Sequence, residues 1–241
     1  MAQSILAEQP ADMVSPIDEV LSKREEPEWH KPVIGRYHAS QLAYCLRRQY
    51  LDFVSPVTEY DSDGARKMWL GSVIHNAIEN EILPFTEESF TPIAVEKPVW
   101  YGLPNTRDGM IVGRFDVLLM DPSGELAIMD VKSREDLYYV DKEGPGEHDV
   151  RQLAMYQGAT RIEKGYLWYV GRRKGDDLFY RQDLKKERFR WMVAQGSLLH
   201  QALKLKELPE MCPQYGWEPR YCKHRNRPEC ENCSLNGGGE Q

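Results

Sequence analysis

The stretch Arg114-Phe115-Asp116-Val117-Leu118-Leu119-Met120-Asp121-Pro122-Ser123-Gly124-Glu125-Leu126-Ala127-Ile128-Met129-Asp130-Val131-Lys132 reads as two strands joined by a tight turn. Pro122 suits the first corner of a type I turn and Gly124 a left-handed position two residues on, the needs of a three-residue loop closed by a glycine bulge. With Asp121 and Glu125 flanking that loop, Asp116 falls opposite Asp130 and Arg114 opposite Lys132. The period of two then puts Phe115, Val117, Leu119, Ala127, Met129 and Val131 on a core face. The other face gathers Asp116, Asp130 and Lys132. Carboxylates facing each other across a ladder repel, and a solvated surface hairpin is the plain reading. A divalent cation between them reverses that sign. Oxygen ligands suit Mg²⁺ or Mn²⁺, able to bind a phosphate oxygen and ionise a water. Lys132 is placed to orient or deprotonate such a water, or to neutralise charge in the transition state.

Outward from the hairpin, Pro92 to Trp100, Met110 to Met120, Glu125 to Lys132, Tyr166 to Val170 and Leu178 to Gln182 read as strands. Helices are expected over Gln41 to Phe53 with Ser40 as N-cap, Ala65 to Leu83 with the ridge Leu70, Ile74, Ile78 and Ile82, Glu147 to Thr160, and Leu184 to Lys206. The fold class is α/β: a restriction-endonuclease-like mixed central sheet flanked by helices. Residues 1–36, polar and proline-bearing, read as a mobile arm or docking peptide, and 37–241 as one domain ending in a cysteine-bearing region, 209–233. The chain has 241 residues and 41% hydrophobic content, enough for a real core. No apolar run approaches the ~18 residues of a membrane span and no signal peptide opens the sequence. A formal charge of -7 argues against a blanket nucleic-acid coat protein. Binding to DNA would rest on local cations such as Arg47, Arg48, Arg66, Lys67, Arg172, Arg173 and Lys174, with Tyr and Trp for stacking.

His75 follows Gly71 by one helical turn, which leaves room above the imidazole for a metal or phosphate, and Glu79, one turn on, could orient the ring. A packed core histidine is the simpler alternative. Gln152 and Tyr156 share a helix face, where they bind Lys132 or a DNA phosphate, or merely half-cover the helix. Five cysteines, three of them at Cys222, Cys230 and Cys233, are too few for a secreted disulfide scaffold and point to a reducing cytoplasm with a metal or cluster site. Three soft ligands need a fourth; Cys45 is the candidate, with Cys212 and His224 as competitors, and zinc and iron–sulfur both fit.

The order Cys45, Gly71-x3-His75, Gly113-Arg114-Phe115-Asp116, Asp130-Val131-Lys132, Gln152-x3-Tyr156 and the terminal cysteines resembles the RecB-like branch of the PD-(D/E)xK nucleases. It is similar in particular to the iron–sulfur subgroup typified by CRISPR-associated exonuclease family four and AddB-type nuclease domains. The segment from Tyr37 to Arg48 resembles the first-cysteine helix of the CRISPR-associated members. The resemblance implies metal ligation by His75, Asp116, Asp130 and the Val131 carbonyl, catalysis by Lys132, support from Gln152 and Tyr156, and a [4Fe-4S] cluster on Cys45, Cys222, Cys230 and Cys233. It further implies exonucleolytic hydrolysis of single-stranded DNA or overhangs, and trimming of prespacer ends beside the CRISPR integrase complex. A phage or viral recombination and repair exonuclease, and a non-catalytic DNA-binding scaffold, are the alternatives. Three departures stand out: Asp130 replaces the usual Glu, the last cysteines are spaced seven then two instead of two then five, and Cys212 is extra.

Overall fold

The computed structural model describes residues 16–23, 31–57, 61–86, 90–210, 218 and 222–233. Its elements are α1 (Pro16–Ser22), β1 (Arg36–His38), α2 (Ala39–Leu42), α3 (Leu46–Val54), α4 (Ser62–Ala77), β2 (Thr91–Gly102), β3 (Met110–Met120), β4 (Leu126–Arg134), α5 (Tyr138–Glu143), α6 (Glu147–Thr160), β5 (Lys164–Gly171), β6 (Asp177–Asp183) and α7 (Lys186–Leu205). The five expected strands and α6 stand where the alternation and periodicity put them. No helix among the described residues is long and apolar enough to cross a membrane.

The hairpin register is the one the turn chemistry dictates: Val117 pairs with Met129, Leu118 with Ile128, Leu119 with Ala127 and Met120 with Leu126. Gly124 takes a φ of 79° and donates to the Asp121 carbonyl at 2.8 Å. The Asp121 carboxylate then accepts from Ser123 N at 2.9 Å, Glu125 N at 3.1 Å and Lys164 Nζ at 2.5 Å, so β5 holds the loop from outside.

Six strands form one mixed sheet in the order β1, β3, β4, β5, β6, with β2 also on β3. Because β2 pairs along the whole of β3 on one edge, β1 (at Met110–Val112) and β4 (at Val117–Met120) must share the other edge. Between them β3 and β4 part, and residues 113–116 face an open fork. One face of the sheet carries the larger core, where Ile128, Leu153, Leu167, Tyr169 and Met192 are essentially solvent-free beneath α2, α3, α6 and α7. The other face packs Val117, Leu119, Ala127, Met129 and Val131 against Ile78 and Leu83, which follow α4. Each such large aliphatic side chain contributes about 1.5–3 kcal/mol by leaving water.

Four expectations change. The helix expected over Gln41 to Phe53 is two helices, broken at Cys45 (φ -54°, ψ 124°), whose N–H donates to Glu218 Oε1 at 2.9 Å; Ser40 lies inside α2 and caps nothing. The α4 ridge is only half a ridge: Ile78 is buried, but Leu70 two turns earlier is exposed, and a π-type turn over Ile78–Ile82 turns Ile82 out to solvent. Phe115 belongs to the α6-side core rather than with Val117, because the alternation breaks where the fork opens. Within the expected arm, α1 packs on α4, with Arg66 bonded to Asp18 at 2.6 Å. The rest of 1–15 and 24–30 lies outside the described residues.

Since Gly124 holds a backbone conformation that costs an L side chain about 1–2 kcal/mol, Gly124→Val should lower stability by at least that much. Urea denaturation checks this, and the m-value should stay unchanged.

Candidate active site

The fork holds the chemistry-bearing side chains. Past the pair Val117–Met129 the ladder gives way, and Asp116 Oδ2 accepts the main-chain N–H of Val131 at 2.6 Å in place of a strand carbonyl. That substitution swings the Asp116 carboxylate toward β4. Asp130 is 1% exposed, and its Oδ2 lies 2.6 Å from Lys132 Nζ. The contact is a close ion pair, with the ammonium set directly against this shielded oxygen. Lys132 Nζ also donates to Gln152 Oε1 at 3.0 Å, and Gln152 Nε2 donates to Tyr156 OH at 2.9 Å. Gly113 lets this happen, because a Cβ there would stand 2.5 Å from Tyr156 Cε1. From α4, His75 Nδ1 approaches Asp116 Oδ2 at 3.6 Å.

Electrostatics follow from burial and proximity. Burial first, then the Asp130 charge, push the Asp116 carboxyl well above the usual range, and burial raises Asp130 as well. Burial works against the charge on Lys132, but Asp130, Asp149 and Asp116 outweigh it and raise its pKa, so the ammonium is retained. Burial, then the positive charges of Lys132 and Arg114, push His75 down to about 4. A neutral imidazole and two carboxylates short of counter-charge are the donor set a hard divalent cation takes. Among the described residues no three His, Cys, Asp or Glu side chains converge closely enough to enclose a metal ion as they stand. His75, Asp116 and Asp130 are neighbours in turn, with the N–H of Val131 and the ammonium of Lys132 occupying the carboxylates.

Sequence reasoning missed what surrounds this group. Arg134, two residues beyond Lys132 on the same face, bonds Asp149 Oδ2 at 2.5 Å, and Tyr169 OH donates to the same oxygen at 2.7 Å. The strand period and the three-residue step from Asp149 to Gln152 were the available signals. On the other side Glu96, at φ 53°, pairs with Arg114 at 2.5 Å and hydrogen-bonds Glu79. Glu79 therefore faces a second carboxylate, and the His75 ring that it was expected to orient is hydrogen-bonded to the Val131 main chain instead.

Cys45, Cys222 and Cys230 are each buried, and Cys45 lies near enough to Cys222 to oppose its ionisation. The Cys233 side chain and Cys212 lie outside the described residues. Arg47 is not available to DNA: it donates to the carbonyls of Pro209 at 2.8 Å and Glu229 at 2.6 Å, tying α3 to the C-terminal region. Arg66 is likewise engaged by Asp18. His224 is held by Asp52 Oδ1 at 2.6 Å.

The model of the PD-(D/E)XK nuclease superfamily matches residues 38–236. The chain belongs to that superfamily. Among solved structures, SSO0001 is similar at 19% identity over 89% of this chain and 92% of that one, with a TM-score of 0.57, a likeness of fold. An alkaline exonuclease from Laribacter hongkongensis, LHK-Exo, matches at 13% identity over 74% and 93%, TM-score 0.49. A phage related exonuclease from Haemophilus somnus 129PT matches at 8% over 67% and 81%, TM-score 0.41. No curated protein is matched. Members of this nuclease superfamily typically use Mg²⁺ or Mn²⁺.

Burial, then the adjacent Glu96, raises Glu79 to about 7 from 4.5. The folded state thus keeps a proton that the unfolded chain releases between those values, and stability falls as pH rises through that window. Glu79→Gln removes the penalty: its melting temperature should exceed that of the wild type at pH 8 and match it near pH 4.5, by scanning calorimetry.

Proposed function

We propose that this chain is a metal-dependent deoxyribonuclease that hydrolyses phosphodiesters of single-stranded DNA or overhangs exonucleolytically. The observation that carries the reading is the buried pair Asp116 and Asp130 at the fork, with the Lys132 ammonium 2.6 Å from Asp130. His75, Asp116, Asp130 and the Val131 carbonyl would hold Mg²⁺ or Mn²⁺. Such an ion supplies Lewis-acid polarisation of the phosphate and an acidified water.

The protein's own groups do the rest. Lys132, its ammonium favoured by Asp130, Asp149 and Asp116, is placed to stabilise charge on the phosphoryl oxygens and to orient water. Gln152 fixes the ammonium from the far side, and Tyr156 fixes Gln152. Cleavage of end-labelled single-stranded DNA with Mn²⁺ tests this. Lys132→Ala should lose on the order of 10²–10³ in rate; equal activity in both proteins, or none in either, returns the fold to a DNA-binding scaffold.

Cys45, Cys222, Cys230 and Cys233 hold a [4Fe-4S] cluster in this reading, joining α3 to the C-terminal region. It is supported by the burial of the three described thiols and by the resemblance of Tyr37 to Arg48 to a first-cysteine helix. The same resemblance supports prespacer trimming beside the CRISPR integrase complex as the cellular task. Anaerobically purified protein should show a visible charge-transfer band and bound iron, both lost in Cys230→Ser. A colourless, zinc-containing wild type would replace the cluster with a zinc site.

A further inference from the structure

We infer that Ser133 and Arg172 form a subsite for the phosphate next to the one being cut. The inference rests on the nuclease reading and names which part of the DNA strand is gripped. Ser133 follows Lys132 and points to the opposite face of β4, the side of Val131 and α4. There Arg172 Nη1 donates to Ser133 Oγ at 3.2 Å and reaches its carbonyl at 3.4 Å. Two strand residues span about 6.6 Å, so Ser133 stands about one internucleotide step from the Val131 carbonyl. Gly71, one turn before His75, keeps the approach open: a Cβ there would come within 3.2 Å of Ser133 Oγ.

Charge favours the same place. At the fork itself Arg114 is paired with Glu96, Lys132 with Asp130 and Arg134 with Asp149. Among the described residues, no carboxylate pairs with Arg172, Arg173 or Lys174. Their turn is held to the end of β4, with Arg172 N donating to the Arg134 carbonyl at 2.7 Å and Arg173 N to that of Glu135 at 3.1 Å. A pinned turn with three unneutralised cations and a hydroxyl beside the catalytic strand matches an anionic backbone. The bonds to Ser133 engage only Nη1 of Arg172, leaving the rest of the guanidinium fork for phosphate oxygens.

The test uses the full chain with Mn²⁺ and oligo(dT) carrying a neutral methylphosphonate at the second linkage from each end. Wild type should cut this substrate about tenfold more slowly than all-phosphate DNA. Arg172→Gln and the milder Ser133→Ala should raise KM on all-phosphate DNA and show little further loss on the methylphosphonate. Neither should change the rate on thymidine 5′-(p-nitrophenyl phosphate), which has no neighbouring phosphate. Equal losses on both kinds of substrate, or a wild type indifferent to the methylphosphonate, overturn the subsite. If wild type cleaves nothing, the nuclease reading fails separately. The subsite is then judged by oligo(dT) binding in Ca²⁺, where Arg172→Gln should reduce the salt slope by about 0.7; an unchanged slope overturns it.

Discussion

The site depends on a hydrogen bond in an unusual place: the carboxylate of Asp116, not a strand carbonyl, receives the N–H of Val131. Two buried carboxylates a few ångströms apart repel by on the order of 3–4 kcal/mol at an effective dielectric of about 20. The packing of Val117, Leu119, Ala127 and Met129 behind them is worth more, so the hairpin stays closed there and parts only where the charges begin. The same bond separates β3 from β4 and admits β1 to the vacated edge. The parting of the strands and the placing of the acidic pair are one event.

Around that pair the protein neutralises in layers. Lys132 answers Asp130, Asp149 sits behind Lys132, and Arg134 with Tyr169 answers Asp149. Because each charge has a fixed neighbour, the ammonium of Lys132 stands in one position from which both Asp130 and Gln152 are within reach. On the α4 side, Glu79, Glu96 and Arg114 form a second ring, reached through a π-type turn and a left-handed glutamate, two backbone irregularities on one flank of the fork.

What was legible was what local chemistry decides. Pro122 and Gly124 fix the turn, and the turn fixes the register as far as Val117 and Met129; beyond them the ladder parts, so the expected pairings of Asp116 with Asp130 and of Arg114 with Lys132 do not form. Strand alternation and the periodicity of α6 gave most of the sheet and the helix bearing Gln152. What was not legible depends on partners distant along the chain. Nothing near Cys45 marks a helix break, because the group that receives its N–H is Glu218. Nothing near Glu96 marks a positive φ, and Phe115 changes sides only because β3 exchanges one neighbour for another. Periodicity made a continuous ridge of Leu70 to Ile82, but a wider turn at Ile78 rotates Ile82 into solvent, and Leu70 at the other end is exposed as well.

The bonds from Arg47 to the carbonyls of Pro209 and Glu229, with Cys45 N–H on Glu218, join the beginning and end of the domain through main-chain groups. Main-chain carbonyls are present whatever the residue type. Side-chain replacement at 209 or 229 therefore leaves the Arg47 fastening in place, whereas the Cys45 N–H depends on the Glu218 carboxylate itself.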